Sequence, residues 1–148
     1  MNDPFLKPVI LGGLLITILS IVFAPGLFIW AIVGGFIAIR LASKVIAGKI
    51  PLMDTLLVGV FSGLIGGTCL DIITVISFNS PDNKIMLINA LKKNWPIDIP
   101  KPDFQQILPS IFFTTCALIV IASVIFAIIG SYLGTVIPKR STNDKPKT

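Results

Sequence analysis

Asp71 is the residue of this chain best suited to chemistry, an ionisable group inside a long apolar run with a threonine three positions to either side. Thr68 and Thr74 fall about 60° from it on a helix, and Thr114 and Thr115 of the last apolar segment reach a similar depth. One carboxylate with several hydroxyls is the donor set of a proton- or cation-binding site. The plainer reading is that Asp71 is neutral, or bonded to a threonine hydroxyl, and simply orders the helices. A charged Asp in mid-membrane costs on the order of 2.5 to 3.5 kcal/mol, so it should face protein, a partner or water. Arg40 is a poor partner, because its segment delivers it to the opposite end, where Asp54 is the nearer acid.

Other chemistries lack their central residues. His is absent and all seven acids are Asp, which removes the commonest neutral-pH acid/base and metal ligand. Serines and threonines occur without an evident base, so no catalytic residues and no enzyme activity are expected. Cys69 and Cys116 lie at comparable depth, about 10 to 14 Å below the outer boundary. Their angles differ, however, since Cys69 points about 160° away from Asp71. Two thiols on different faces and one carboxylate make no metal site, and no cofactor is expected.

The segments that hold these residues are strongly apolar. Of 148 residues, 54% are hydrophobic and 13% charged, with a mean hydropathy of +0.94. A soluble domain carries about 25% charged residues and could not cover so much apolar surface. The net charge of +5 does not point to nucleic acid, because the twelve Lys and Arg gather at segment ends, in loops and in the tail. That is the pattern of membrane flanks and lipid headgroup contacts.

Four spans are predicted, at residues 8–24, 26–43, 54–78 and 109–137, within one transmembrane domain over residues 1–137. The first two are short for a ~30 Å hydrocarbon core, and Ala24-Pro25-Gly26 between them predicts a tight hairpin in which Gly takes a positive backbone angle. The last two exceed the core thickness and should tilt or protrude. Pro109 is expected in a first helical turn and Pro138 as a stop. With four spans, eight basic residues (Lys7, Arg40, Lys44, Lys49, Lys139, Arg140, Lys145, Lys147) share one side and four (Lys84, Lys92, Lys93, Lys101) the other. The positive-inside rule then sets both termini in the cytoplasm, in a cell membrane. A signal-peptide reading of the first segment fares worse, since cutting after Ala24 would remove half of a coherent hairpin.

The outer loop, residues 79–107, holds a short helix capped by Ser80 with Pro81 in its first turn. Ile85, Ile88, Leu91 and Trp95 recur on one side of it, suited either to a membrane surface or to packing over the tops of the spans. Pro96, Pro100 and Pro102 favour an extended connector, and residues 138–148 form a polar cytoplasmic tail.

Glycines give the spans their packing faces. Gly59, Gly63, Gly66 and Gly67 fall within about 60° of one another's centre line, and Gly59-x-x-x-Gly63-x-x-x-Gly67 is the close-approach pattern of membrane helices. Gly130 and Gly134 continue a stripe with Cys116, Ser123 and Ala127, a candidate mate. Segment two offers Gly34, Ala38 and Ala42, and segment one Gly13, Thr17, Ser20 and Ala24. A compact four-helix unit follows, although the same faces would also serve contacts between copies.

The run Pro25-Gly26…Gly34-Gly35-Phe36…Arg40, then Asp54…Gly59-Val60-Phe61-Ser62-Gly63-Leu64-Ile65-Gly66-Gly67, and a closing Gly130-Ser131-Tyr132-Leu133-Gly134 carry a likeness. The chain resembles a class of small uncharacterised prokaryotic four-span membrane proteins with Gly-Gly-rich helices. The resemblance implies the helix order and a basic linker, and it brings no activity or catalytic residue with it.

The expectation is therefore an all-α polytopic membrane protein, a four-transmembrane-helix bundle with glycine-mediated close packing. Its partners are the lipid bilayer and either a further copy of itself or another membrane protein. Its role is that of a packing or assembly component, with a small transporter or proton/cation pathway through Asp71 as the alternative.

Overall fold

A computed structural model describes residues 4–46, 50–96, 98–100 and 102–137. Over these the chain is all-α, 88% helical and without strands. The order is α1 (Leu6–Val22), a 3-10 turn (Ala24–Gly26), α2 (Leu27–Val45), α3 (Leu52–Phe78), α4 (Pro81–Asn94) and α5 (Phe104–Val136). Three helices, α2, α3 and α5, are long and apolar enough to cross a membrane. They mark a membrane protein. The fourth predicted span, α1, is equally apolar but has 17 residues, or about 25 Å of helix. The predicted tail, 138–148, and Lys49, Lys101, Lys139, Arg140, Lys145 and Lys147 of the charge comparison lie outside the described residues.

α1, α2, α5 and α3 stand in that order around a ring, with α1 and α5 at opposite corners. α1 and α2 are antiparallel, as are α3 and α5, while α1 runs parallel to α3 and α2 to α5. The buried core divides into Val9, Ala38, Ile39, Ala42 and Val58 at the end of the ring where α1 and α3 begin, and Ile16, Ala31 and Ala127 farther along. Beyond Gly67 on α3 no residue is buried, and on α5 none is buried between Leu108 and Ser123. The molecule thus has a four-helix half, packed through, and a two-helix half, where α3 and α5 continue past the hairpin.

Three local expectations change. Gly26 has φ of −83°, so it does not use the left-handed region. A methyl there would instead lie 2.5 Å from Trp30 Nε1 and 2.9 Å from a Phe23 ring carbon. The Trp30 indole N–H donates to the Phe23 carbonyl at 3.1 Å across the turn, and Gly is what leaves room for that ring. Next, α5 begins at Phe104 rather than Pro109, because the Asp103 side chain caps it by accepting from the Gln105 N–H at 3.0 Å. Pro109 then sits inside the helix, where its missing N–H forfeits one backbone bond early in a 33-residue element. Finally, α4 starts at Pro81 after an extended Ser80, but the Ser80 side chain makes no capping hydrogen bond, and the helix buries none of its residues.

Rings and one ammonium hold the two-helix half together and seat α4 against it. Phe78 stacks on Phe112 with centroids 4.3 Å apart, Lys84 Nζ lies 5.3 Å over the Phe78 ring, and Trp95 meets Phe104 edge-on at 5.4 Å.

Candidate functional site

The sequence-predicted glycines line the helix contacts, and the row on α3 is the most regular of them. A methyl on Gly59 would lie 2.7 Å from the Ile128 α-carbon, on Gly63 2.5 Å from that of Val124, and on Gly67 2.9 Å from that of Val120. Each step of four along α3 answers a step of four back along α5. Even alanine does not fit these positions without moving a backbone. Gly130 faces the Ile32 backbone in the same way, and Gly134 faces the Ile39 side chain and the Phe36 carbonyl.

Three residue doublets share a division of labour that no single helical face would show. Gly12 packs on α2 and Gly13 on α3; Gly34 packs on α1 and Gly35 on α5; Gly66 packs on α1 and Gly67 on α5. Adjacent residues point about 100° apart, so a Gly-Gly pair opens a helix to two neighbours in a four-membered ring. Ala38 is fully buried beside Gly12, whose added methyl would lie 2.7 Å from its β-carbon. Gly12 and Gly35 were not singled out by face counting, and the doublets are the signal that identifies them.

Hydrogen bonds between helices end on the same glycines. The Thr17 hydroxyl lies 3.1 Å from the Gly13 carbonyl of its own helix and 3.2 Å from that of Gly66 on α3. Ser131 Oγ donates to the Gly35 carbonyl at 3.0 Å. A glycine carbonyl is open to such donors because no side chain stands over it.

Asp71 is the next member of the glycine row, four residues beyond Gly67, and Cys116 is four residues before Val120. The structure brings this carboxyl and this thiol side by side. One carboxyl oxygen, Oδ1, is enclosed and has no hydrogen-bond partner. The expected threonine pocket does not form around it. Thr74 donates to the Leu70 carbonyl, Thr114 to that of Ser110 and Thr115 to that of Ile111, each at 2.8 Å along its own helix. Thr68 is exposed on the outside of α3. Hydroxyls one turn from a carbonyl satisfy themselves locally, which costs less order than reaching across to a carboxylate. Cys69 and Cys116 are both free thiols.

At the far end Arg40 does not meet Asp54. Its guanidinium donates to the Ile137 carbonyl at the C-terminal end of α5 and lies 5.1 Å over the Phe36 ring. The parallel course of α2 and α5 explains this, because it sets Arg40 against orphan carbonyls that attract a cation.

Open grooves formed by described residues flank the bundle. One of about 300 Å³ runs between the N-terminal parts of α1 and α3, with Phe5, Val9, Leu57 and Phe61 in its walls and Asp54 its single charged group. Another, of about 370 Å³, lies between α4 and the start of α5, with Phe78, Ile88 and Leu108 in its walls and Lys84 its single charged group. The arrangement offers a close-packed helix seam with one unpaired carboxylate, and it assembles no nucleophile, base or ligand cluster among the described residues. No protein-family model, no curated protein and no solved structure matches this chain.

Proposed function

We propose that this chain is a multi-pass component of a cell membrane that works by packing and assembly, without catalysis of its own. In this reading all four helices of the ring cross the bilayer, with both termini in the cytoplasm, and the outward-facing apolar side chains meet lipid or a partner protein. The observation that carries it is the use of the glycines. They are consumed inside the chain, at distances that leave no solute path between α3 and α5, while α3 and α5 keep long apolar flanks uncovered beyond the hairpin. Ile76 at 68% and Phe113 at 71% exposure are the most exposed large apolar residues of those flanks. Contacts with other chains therefore fall to large side chains, on the faces the glycines do not use.

The second reading, a proton or cation pathway through Asp71, is favoured by one fact: its enclosed Oδ1 has no hydrogen-bond partner. Purification from the native membrane in mild detergent, with the mass and composition of the particle determined, separates the two. A reproducible stoichiometric complex supports the assembly reading. A lone chain that conducts protons or cations in vesicles, and stops conducting as Asp71→Asn, replaces it with the second.

A further inference from the structure

Asp71 has company on the outside of α3 as well as on the seam. Leu57, Phe61, Leu64, Thr68, Asp71 and Val75 follow one another at intervals of four, three, four, three and four. That is the seam of a helix made to lie against another helix at a shallow left-handed angle. Among the described residues nothing covers this row: the four apolar members are 38% to 51% exposed, Thr68 is exposed and Asp71 half-buried. An apolar row alone would suit lipid, but the carboxylate within it does not. The Asp71 side chain is only partly buried, the Cys116 thiol is the polar group beside it, and no Lys or Arg among the described residues pairs with it. Arg40 is held at the opposite end by Ile137, and Lys84 lies over Phe78 beyond the end of α3.

We propose that this row receives a transmembrane helix of a different protein, one that carries a Lys or Arg at the depth of Asp71. The proposal rests on the assembly reading and names the chemistry of the partner. Charge complementarity selects that occupant. A second copy laid on the same row would bring Asp71 towards another acid, and would supply no described cation at that depth. A lipid tail leaves the carboxylate unpaired, whereas a basic side chain within the membrane pairs with an acid more readily than with any other group there. Thr68, one turn away along the same row and exposed, offers the incoming helix a hydroxyl beside that level.

The experiment uses the full chain in phosphatidylcholine vesicles, labelled for energy transfer to synthetic Leu/Ala transmembrane peptides. One peptide carries a single Lys in its outer third, a second has Leu there, and a third has Glu. The Lys peptide is expected to associate about tenfold more strongly than the Leu peptide, with the Glu peptide weakest. Asp71→Asn should erase the preference for Lys, and Asp71→Glu should keep it. Circular dichroism of each variant shows that it remains folded. Equal association of the Lys and Leu peptides, or a Lys preference that survives in Asp71→Asn, overturns the proposal while leaving the assembly reading standing. Association of none of the peptides overturns it as well. The assembly reading itself fails separately, if the particle from the native membrane is a lone conducting chain.

Discussion

The four-helix half and the two-helix half are made of the same apolar residues, yet they hold together by different means. In the first, small residues let backbones touch, and Thr17 and Ser131 tie them through glycine carbonyls. In the second, no glycine lies between α3 and α5, and rings such as Phe78 and Phe112 bridge them. The difference teaches where substitution should matter. Lipid is as apolar as leucine, so burial of an apolar side chain drives little association in a membrane, and fit between surfaces decides it.

The sharpest way to break the comparison is to enlarge a seam glycine. Gly63→Leu should cost about 3 kcal/mol or more, because the α-carbon of Val124 stands where the new side chain must begin. Gly130→Leu should do the same against the Ile32 backbone. Reversible unfolding in mixed detergent measures both, and a loss below about 1 kcal/mol at either position would show that the helices slide apart freely. Ser131→Ala follows, at about 1 kcal/mol by the same method, from the loss of its bond to Gly35. Its control lies two turns away on the same helix: Ser123 is fully buried and its hydroxyl has no partner, so Ser123→Ala should be neutral or stabilising.

Within the two-helix half, Phe78→Leu should cost about 0.5 to 1.5 kcal/mol through its stack on Phe112. Phe113→Ala, next along α5 and exposed, should stay within about 0.5 kcal/mol, and a larger loss would reveal that this flank is already covered.

How much of this was legible follows from which physics is local. The start of α4 was, because Pro81 presets the first turn locally, although the Ser80 hydroxyl does not cap it. The glycine row of α3 was, because its spacing of four belongs to one helix. Its register against α5 was not, since periodicity in one helix says nothing about sliding along another, and so Asp71 was surrounded with threonines when its neighbour is Cys116. Arg40 was misplaced for a related reason. Depth puts it near Asp54, but the ring order puts α5 beside α2, and α5 ends there. The early start of α5 was hidden because the apolar run begins later than the helix, whose first residue is set by Asp103.

The turn between α1 and α2 carries a consequence for how the protein is made. Four residues join the two helices, and the Trp30 indole fastens that turn to the Phe23 carbonyl. So short a link has no slack to let one helix settle while the other waits in water. α1, at 17 residues, also gains from a companion that covers its glycine face. In the proposed four-span topology the pair would leave the insertion machinery as a single hairpin, and a break at the turn would show first as chains that fail to integrate.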